Sequence, residues 1–209
     1  EVLANERSTL TIGMYGGTSD FYELKGAMEE LLSTMGIKDY EFIPEQNEAS
    51  FHPGRTARLF IKNSQNEMVY AAILGEVHPE VAENFECPER TYLAMADIQV
   101  LIEASSVEKQ YKQLPRFPAI TRDLAIVVKD EVYVGQLIDS IKQKGGEYLE
   151  DVSLFDVYKG AQVTEGMKSV AFALSFRAQE RTLTDEDVNI AMERILKNLE
   201  KEHNALLRT

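Results

Sequence analysis

Between residues 124 and 199 the apolar residues change period in a fixed order, and that order leaves few folds open. Leu124, Ile126 and Val128 alternate, as in a half-buried strand. Val134, Leu137, Ile138 and Ile141 then recur at helical spacing, and Gly145-Gly146 close the helix. Residues 152–158 read as a second strand and 168–176 as a third, with Val170, Phe172, Leu174 and Phe176 on one face. Thr184 caps a second helix whose apolar stripe is Val188, Ala191, Met192, Ile195 and Leu199. Residues 205–208 read as a short last strand. The order is βαββαβ, the ferredoxin-like arrangement.

The 209 residues carry 22 Lys+Arg against 35 Asp+Glu, a formal charge of −13. Residues 1–106 hold 7 basic and 18 acidic side chains, whereas 107–209 hold 15 and 17. The change coincides with Ala104-Ser105-Ser106 and the polar stretch ahead of Leu114-Pro115-Arg116-Phe117-Pro118, which reads as a linker. The expected organisation is a domain over 1–106, a linker over 107–116 and a domain over 117–209. With 44% hydrophobic and 27% charged residues the chain is globular, not disordered. Its acidity argues against unselective nucleic-acid binding, which needs clustered Lys and Arg, and leaves room for a local RNA-reading surface. One cysteine, Cys87, excludes an internal disulfide framework and a Cys-based zinc site, and fits a reducing, cytoplasmic setting. There is no apolar run long enough to span a membrane and no signal peptide. The first residue is Glu1, not Met, which suggests a processed product or a piece of something longer.

In the first half, Leu10, Ile12 and Met14 alternate with Thr9, Thr11 and Gly13 as a strand. Asp20 caps a helix with Glu23 three residues on, and Leu24, Met28, Leu31 and Met35 form its stripe up to Gly36. Strands are expected at 58–61, at 68–75 (apolar throughout, hence covered on both faces) and at 91–102. A short helix runs from Pro79 to Phe85. This order suggests an antiparallel sheet with helices on one face, so the whole chain is of the α+β class.

In a βαββαβ domain both helices cover one sheet face and leave the other free. Alternation puts Asp123, Ala125, Val127 and Lys129 of the first strand on that open face, with Ser169, Ala171, Ala173, Ser175 and Arg177 of the third. In the second strand Phe155 and Val157 are assigned to the core, so Leu154, Asp156 and Tyr158 face outward. The face is flat at Ala125, Ala171 and Ala173, offers Asp156 and Ser169 as hydrogen-bonding groups, and has Tyr158 as a stacking platform. Flat contact plus hydrogen bonds to base edges is how single-stranded RNA is read, and a carboxylate accepts from the N1–H and N2–H₂ edge of guanine. Lys112, Arg116 and Arg122, just before or within the first strand, are candidates for phosphate contact. Packing of this face on another domain stays open as the other reading.

Catalytic motifs are missing. The three histidines, His52, His78 and His203, have no metal-ligand spacing, and no P-loop, G-x-G-x-x-G or nucleophile elbow occurs. The run Asp185-Glu186-Asp187 follows Thr184 in a first helical turn, where acidic groups favour the helix dipole, so it reads as a cap and not a metal site. Phe51-His52-Pro53-Gly54-Arg55-Thr56-Ala57 has a Pro-Gly turn, with Arg55 either touching a ligand or anchored to a buried carboxylate.

Several motifs together resemble a known family. Phe117-Pro118-Ala119-Ile120-Thr121-Arg122-Asp123-Leu124-Ala125, Leu154-Phe155-Asp156-Val157-Tyr158-Lys159-Gly160, Glu165-Gly166-Met167-Lys168-Ser169 and Arg181-Thr182-Leu183 resemble the anticodon-binding domain that closes the bacterial phenylalanyl-tRNA synthetase beta subunit. Residues 51–57 and Gly75-Glu76-Val77-His78-Pro79-Glu80 resemble the preceding catalytic-like domain. The resemblance implies a partial class II synthetase-like antiparallel sheet followed by the ferredoxin-like domain, in a carboxy-terminal fragment of that subunit. It implies an α₂β₂ ligase that joins phenylalanine to tRNA(Phe) with ATP and magnesium, the alpha subunit carrying the chemistry and this portion scaffolding it. It implies no cofactor bound by this portion. It also assigns Asp156 and Ser169 to the anticodon's guanine. Phe176-Arg177-Ala178-Gln179-Glu180 only faintly resembles the family's ATP-binding Arg motif, at the wrong spacing, and residues 1–106 contain no such motif, so no aminoacylation is expected of this chain alone. The rival expectation is a regulatory ferredoxin-like protein that binds a small molecule or pairs with itself. Lys129-Asp130-Glu131-Val132 after the first strand lacks the glycines such a pocket favours.

Overall fold

A computed structural model describes residues 6–88, 90–106, 114–160 and 163–208. The chain divides into two compact units, Glu1–Tyr111 and Lys112–Thr209. Among the described residues no helix is long and apolar enough to cross a membrane.

The first unit contains β1 (Thr9–Met14), α1 (Phe21–Thr34), β2 (Tyr40–Pro44), β3 (Phe51–Lys62), β4 (Met68–Val77), α2 (Pro79–Asn84), β5 (Tyr92–Asp97) and α3 (Ile98–Ala104). Its antiparallel sheet has the order β1-β5-β4-β3-β2. Asp20 accepts from the Glu23 amide at 2.8 Å and so starts α1, which buries Leu24, Met28 and Leu32 against Leu59, Ile61, Leu74, Ala94 and Ala96 of the sheet. β4 lies in the middle and is buried from Ala71 to Val77, whereas Met68 and Tyr70 at its start are exposed, so the burial expected on both faces over 68–75 holds only from Ala71 on.

Two further expectations need correction, and one strand is unexpected. The strand expected over 91–102 ends at Asp97, whose carboxylate accepts from the amides of Gln99 (3.0 Å) and Val100 (3.3 Å) and starts α3. An N-cap of this kind outweighs the strand preference of the β-branched residues that follow. β2 is not among the expected strands, although Tyr40 and Phe42 pack on the core and alternate with exposed Glu41 and Ile43, a pattern only five residues long at the sheet edge. β3 extends back to Phe51, well before the expected 58, through a register shift between Phe51 and Thr56. The Pro53-Gly54 step sits inside that irregularity, where a missing backbone N–H costs no ladder bond. Arg55 leaves it to donate to Glu76 at 2.6 Å, and Tyr92 donates to the same carboxylate oxygen at 3.2 Å. Glu76 is buried, so this pair satisfies a charge that would otherwise be strongly unfavourable there. Burial, followed by the Glu76 charge, pushes the Tyr92 hydroxyl above its ordinary pKa.

The second unit contains β6 (Ile120–Lys129), α4 (Val134–Gly145), β7 (Leu149–Tyr158), β8 (Met167–Phe176), α5 (Asp185–His203) and β9 (Leu206–Leu207). The sheet order β7-β8-β6-β9, all antiparallel, is that of a ferredoxin-like fold. Leu124, Ile126, Val128, Val170, Phe172, Leu174 and Phe176 meet Leu137 and Ile141 of α4 and Val188, Ala191, Ile195 and Leu199 of α5 in one core. The acidic turn is a cap: Thr184 and Asp187 bond reciprocally, and Arg181 grips Asp187 at 2.6 and 3.0 Å. The Arg181 bond, then the Thr184 amide, holds the Asp187 carboxyl well below the usual range.

Candidate nucleic-acid interface

The ladder decides which side chains share the open face. Across β7, β8 and β6 the rows on that face are Asp151, Ser175 and Thr121; Ser153, Ala173 and Asp123; Asp156, Ala171 and Ala125; and Tyr158, Ser169 and Val127. Ala125, Ala171 and Ala173 thus form a low floor. Asp156 is exposed at the edge of the floor, and Ser169 is its diagonal neighbour, about 7 Å away by strand geometry. Alternation alone predicts these facings for β6 and β8, because no irregularity interrupts either strand over 120–129 or 167–176.

In β7 part of the expectation fails. The register slips between Leu154 and Asp156. Leu154 pairs with Phe172 and Val157 with Val170, so both belong to the helix side, and Leu154 does not face outward as expected. Phe155 is the extra residue of the bulge and not a core residue: it is 59% exposed, with Leu154 at 42% and Val157 at 43%. Asp156 and Tyr158 keep their outward place because the slip precedes both. The core is closed instead by Leu149 and Val152 at the other end of β7.

Arg208 is the group that the sequence reading missed. Its amide donates to the Ala125 carbonyl at 2.9 Å, extending β9 along β6. Its guanidinium donates to Ser169 Oγ at 3.1 Å and lies 5.6 Å from the centre of the Tyr158 ring. The floor therefore carries a fixed positive charge against an aromatic face, a favourable cation–π geometry. The available signal was the alternation from buried Ala205, which puts position 208 on the open side once β9 pairs with β6. Ser169 is buried but keeps its hydroxyl proton for a further acceptor, since Arg208 uses only a lone pair. Gly160 makes room for the ring: a Cβ there would lie 2.5 Å from Tyr158 Oη.

The expected phosphate contacts fare unevenly. Lys112 lies outside the described residues. Arg116 is exposed. Arg122 pairs with Leu174, which puts it on the helix side, and its guanidinium is bound to Asp185 at the start of α5. It stands on the opposite face from Asp156 and Ser169. Arg177 is also engaged elsewhere, donating to the Phe117 carbonyl at 2.6 Å and to Glu150 at 2.8 Å.

Comparison with known proteins adds an independent line. Residues 115–208 match the model of the ferredoxin-fold anticodon binding domain, and residues 1–98 match the phenylalanyl tRNA synthetase beta chain CLM domain. The chain is 45% identical over 208 residues to a phenylalanine–tRNA ligase beta subunit of Clostridium tetani, covering 100% of this chain and 26% of that protein. It is 43% identical to the corresponding subunit of Clostridium acetobutylicum (99% of this chain, 25% of that one) and 38% identical to that of Bacillus subtilis (90% and 23%). It thus spans about a quarter of the length of the curated relatives it matches.

Proposed function

The chain belongs to the phenylalanyl-tRNA synthetase beta-chain family, and on that footing we propose that its second unit binds the anticodon loop of tRNA(Phe) on the open sheet face. One observation carries the reading: the alanine floor is bordered by an exposed carboxylate, a hydroxyl and a ring-stacked guanidinium, all presented by one regular ladder. In this reading Asp156 accepts from the guanine edge, and Ser169 donates or accepts beside it. Ala171 and Ala173 let the base lie flat, Tyr158 stacks, and Arg208 balances the phosphate charge nearby. Arg116 and Lys112 add phosphate contacts ahead of β6.

The first unit (1–106 at the sequence level) is proposed as the scaffold for the alpha subunit in a cytoplasmic α₂β₂ ligase. ATP and magnesium then serve at the alpha subunit. Among the described residues no group of three or more His, Cys, Asp or Glu side chains is placed to hold a metal ion. A small-molecule pocket at the β6–α4 turn is disfavoured, because Lys168 donates to the Asp130 carbonyl at 3.0 Å and Lys159 pairs with the Asp130 carboxylate at 3.1 Å.

The test is a filter-binding comparison of tRNA(Phe) with an anticodon-altered transcript. Asp156→Ala should weaken binding to the cognate tRNA by about 1–3 kcal/mol and erase the preference for guanine. Equal affinity of wild type and variant for both RNAs would sink the site assignment.

A further inference from the structure

Phe155 stands outside the ladder. Leu154 pairs with Phe172 and Asp156 with Ala171, which leaves Phe155 opposite no residue of β8. β7 is an edge strand, so among the described residues its other side meets no strand either. An aromatic side chain in a strand ordinarily buries most of its area against neighbours, yet this ring is 59% exposed and lies outside the core of its unit. Bulges next to functional sites re-aim a side chain, and this one comes directly before Asp156. Phe155 is thus placed at the sheet rim, between Leu154 on the helix side and Asp156 on the open side. The open face beside it carries exposed Asp151, Ser153 and Asp156, so on that side the ring borders hydrogen-bonding groups, while Leu154 and Val157 on the helix side are 42% and 43% exposed. An exposed aromatic face with hydrogen-bonding groups on its open-face side suits an unpaired nucleobase.

We infer that Phe155 is a stacking platform for a second unpaired base of the same RNA, adjacent to the base that Asp156 and Ser169 read. This rests on the anticodon-loop reading above. The two residues then divide the work. Asp156 selects one base by its edge, and Phe155 holds the next by its face without selecting it, because every base has a π-face. The bulge makes this division possible, since an unbroken strand would put Phe155 and Asp156 on opposite sides of the sheet.

The experiment uses the 209-residue chain and an anticodon stem-loop RNA in which each unpaired loop base is replaced in turn by a fluorescent purine analogue quenched on stacking. Phe155→Leu should weaken binding about tenfold whatever the base identity, and should restore fluorescence at one loop position. Phe155→Trp should keep both the affinity and the quenching. The exposed site tolerates either change, and melting curves check this. If Phe155→Leu binds and quenches like wild type while Asp156→Ala still loses its guanine preference, the stacking inference alone is overturned. The same holds if Phe155→Trp loses as much as Phe155→Leu. If wild type fails to bind the RNA, or its guanine preference survives Asp156→Ala, the anticodon reading itself falls.

Discussion

Both units place helices on one face of an antiparallel sheet, and they differ in what they leave on the other. In the first unit that face presents bulky apolar residues, with Ile43, Met68, Tyr70 and Met95 each 41–47% exposed. In the second it presents Ala125, Ala171 and Ala173 with polar groups around them. Large apolar groups suit contact with protein, while small residues let a flat ring approach the backbone. The units also handle charge differently. Glu76 of the first is buried and accepts from Arg55 and Tyr92 on one oxygen, whereas Arg208 of the second is held over a ring on an accessible face.

The largest test of this contrast compares two glycines. A Cβ on Gly75 would lie 2.6 Å from Thr56 Oγ1, 2.7 Å from the Arg55 carbonyl and 2.9 Å from Thr56 Cα. Two of these are backbone atoms that cannot move alone, so Gly75→Ala should destabilise the first unit by about 3 kcal/mol in urea unfolding. Gly160→Ala meets only the end of the Tyr158 side chain, which can swing aside. It should change stability by less than about 0.5 kcal/mol and still weaken RNA binding. Equal stability losses would erase the distinction between a glycine held against neighbouring backbone and one beside a ring that can move.

A smaller effect is expected at Arg208. Arg208→Gln should weaken RNA binding by about 1 kcal/mol and reduce the salt slope by about one. An unchanged salt slope would remove Arg208 from the RNA contact and leave it a structural tie between β9, Ser169 and Tyr158.

The smallest effect sharpens the comparison inside the second unit, between its helix layer and its open face. Ser140 of α4 donates to Glu202 of α5 at 2.7 Å, and Asn198 donates to the same oxygen at 2.9 Å. The Ser140 bond, as the main cause, lowers the Glu202 carboxyl below its ordinary 4.5. A depressed carboxylate stabilises the fold above its unfolded pKa, and that contribution is lost as pH falls through the folded value. Ser140→Ala should therefore lower the melting temperature slightly at neutral pH, converge with wild type below about pH 4, and leave RNA binding intact. A loss of RNA binding would show that the helix layer controls the open face.

The parts of this protein that were legible in its sequence are those governed by local period and local chemistry. The alternation of Leu124, Ile126 and Val128, the helical stripes and the caps at Asp20 and Thr184 each act within a few residues, so the βαββαβ order and the facing of Ser169, Ala171 and Ala173 could be read directly. The helix-side position of Arg122 was legible by the same rule, since it shares parity with Leu124. Tertiary structure decided what depends on a partner strand. The slip at Phe155 exists only relative to β8, the irregularity in β3 only relative to β4, and the reach of Arg208 over Tyr158 only once β9 has paired with β6. A side chain's period is written along its own strand, whereas a bulge or a contact across strands is set by the register between segments far apart in the chain, where packing and hydrogen bonding choose together.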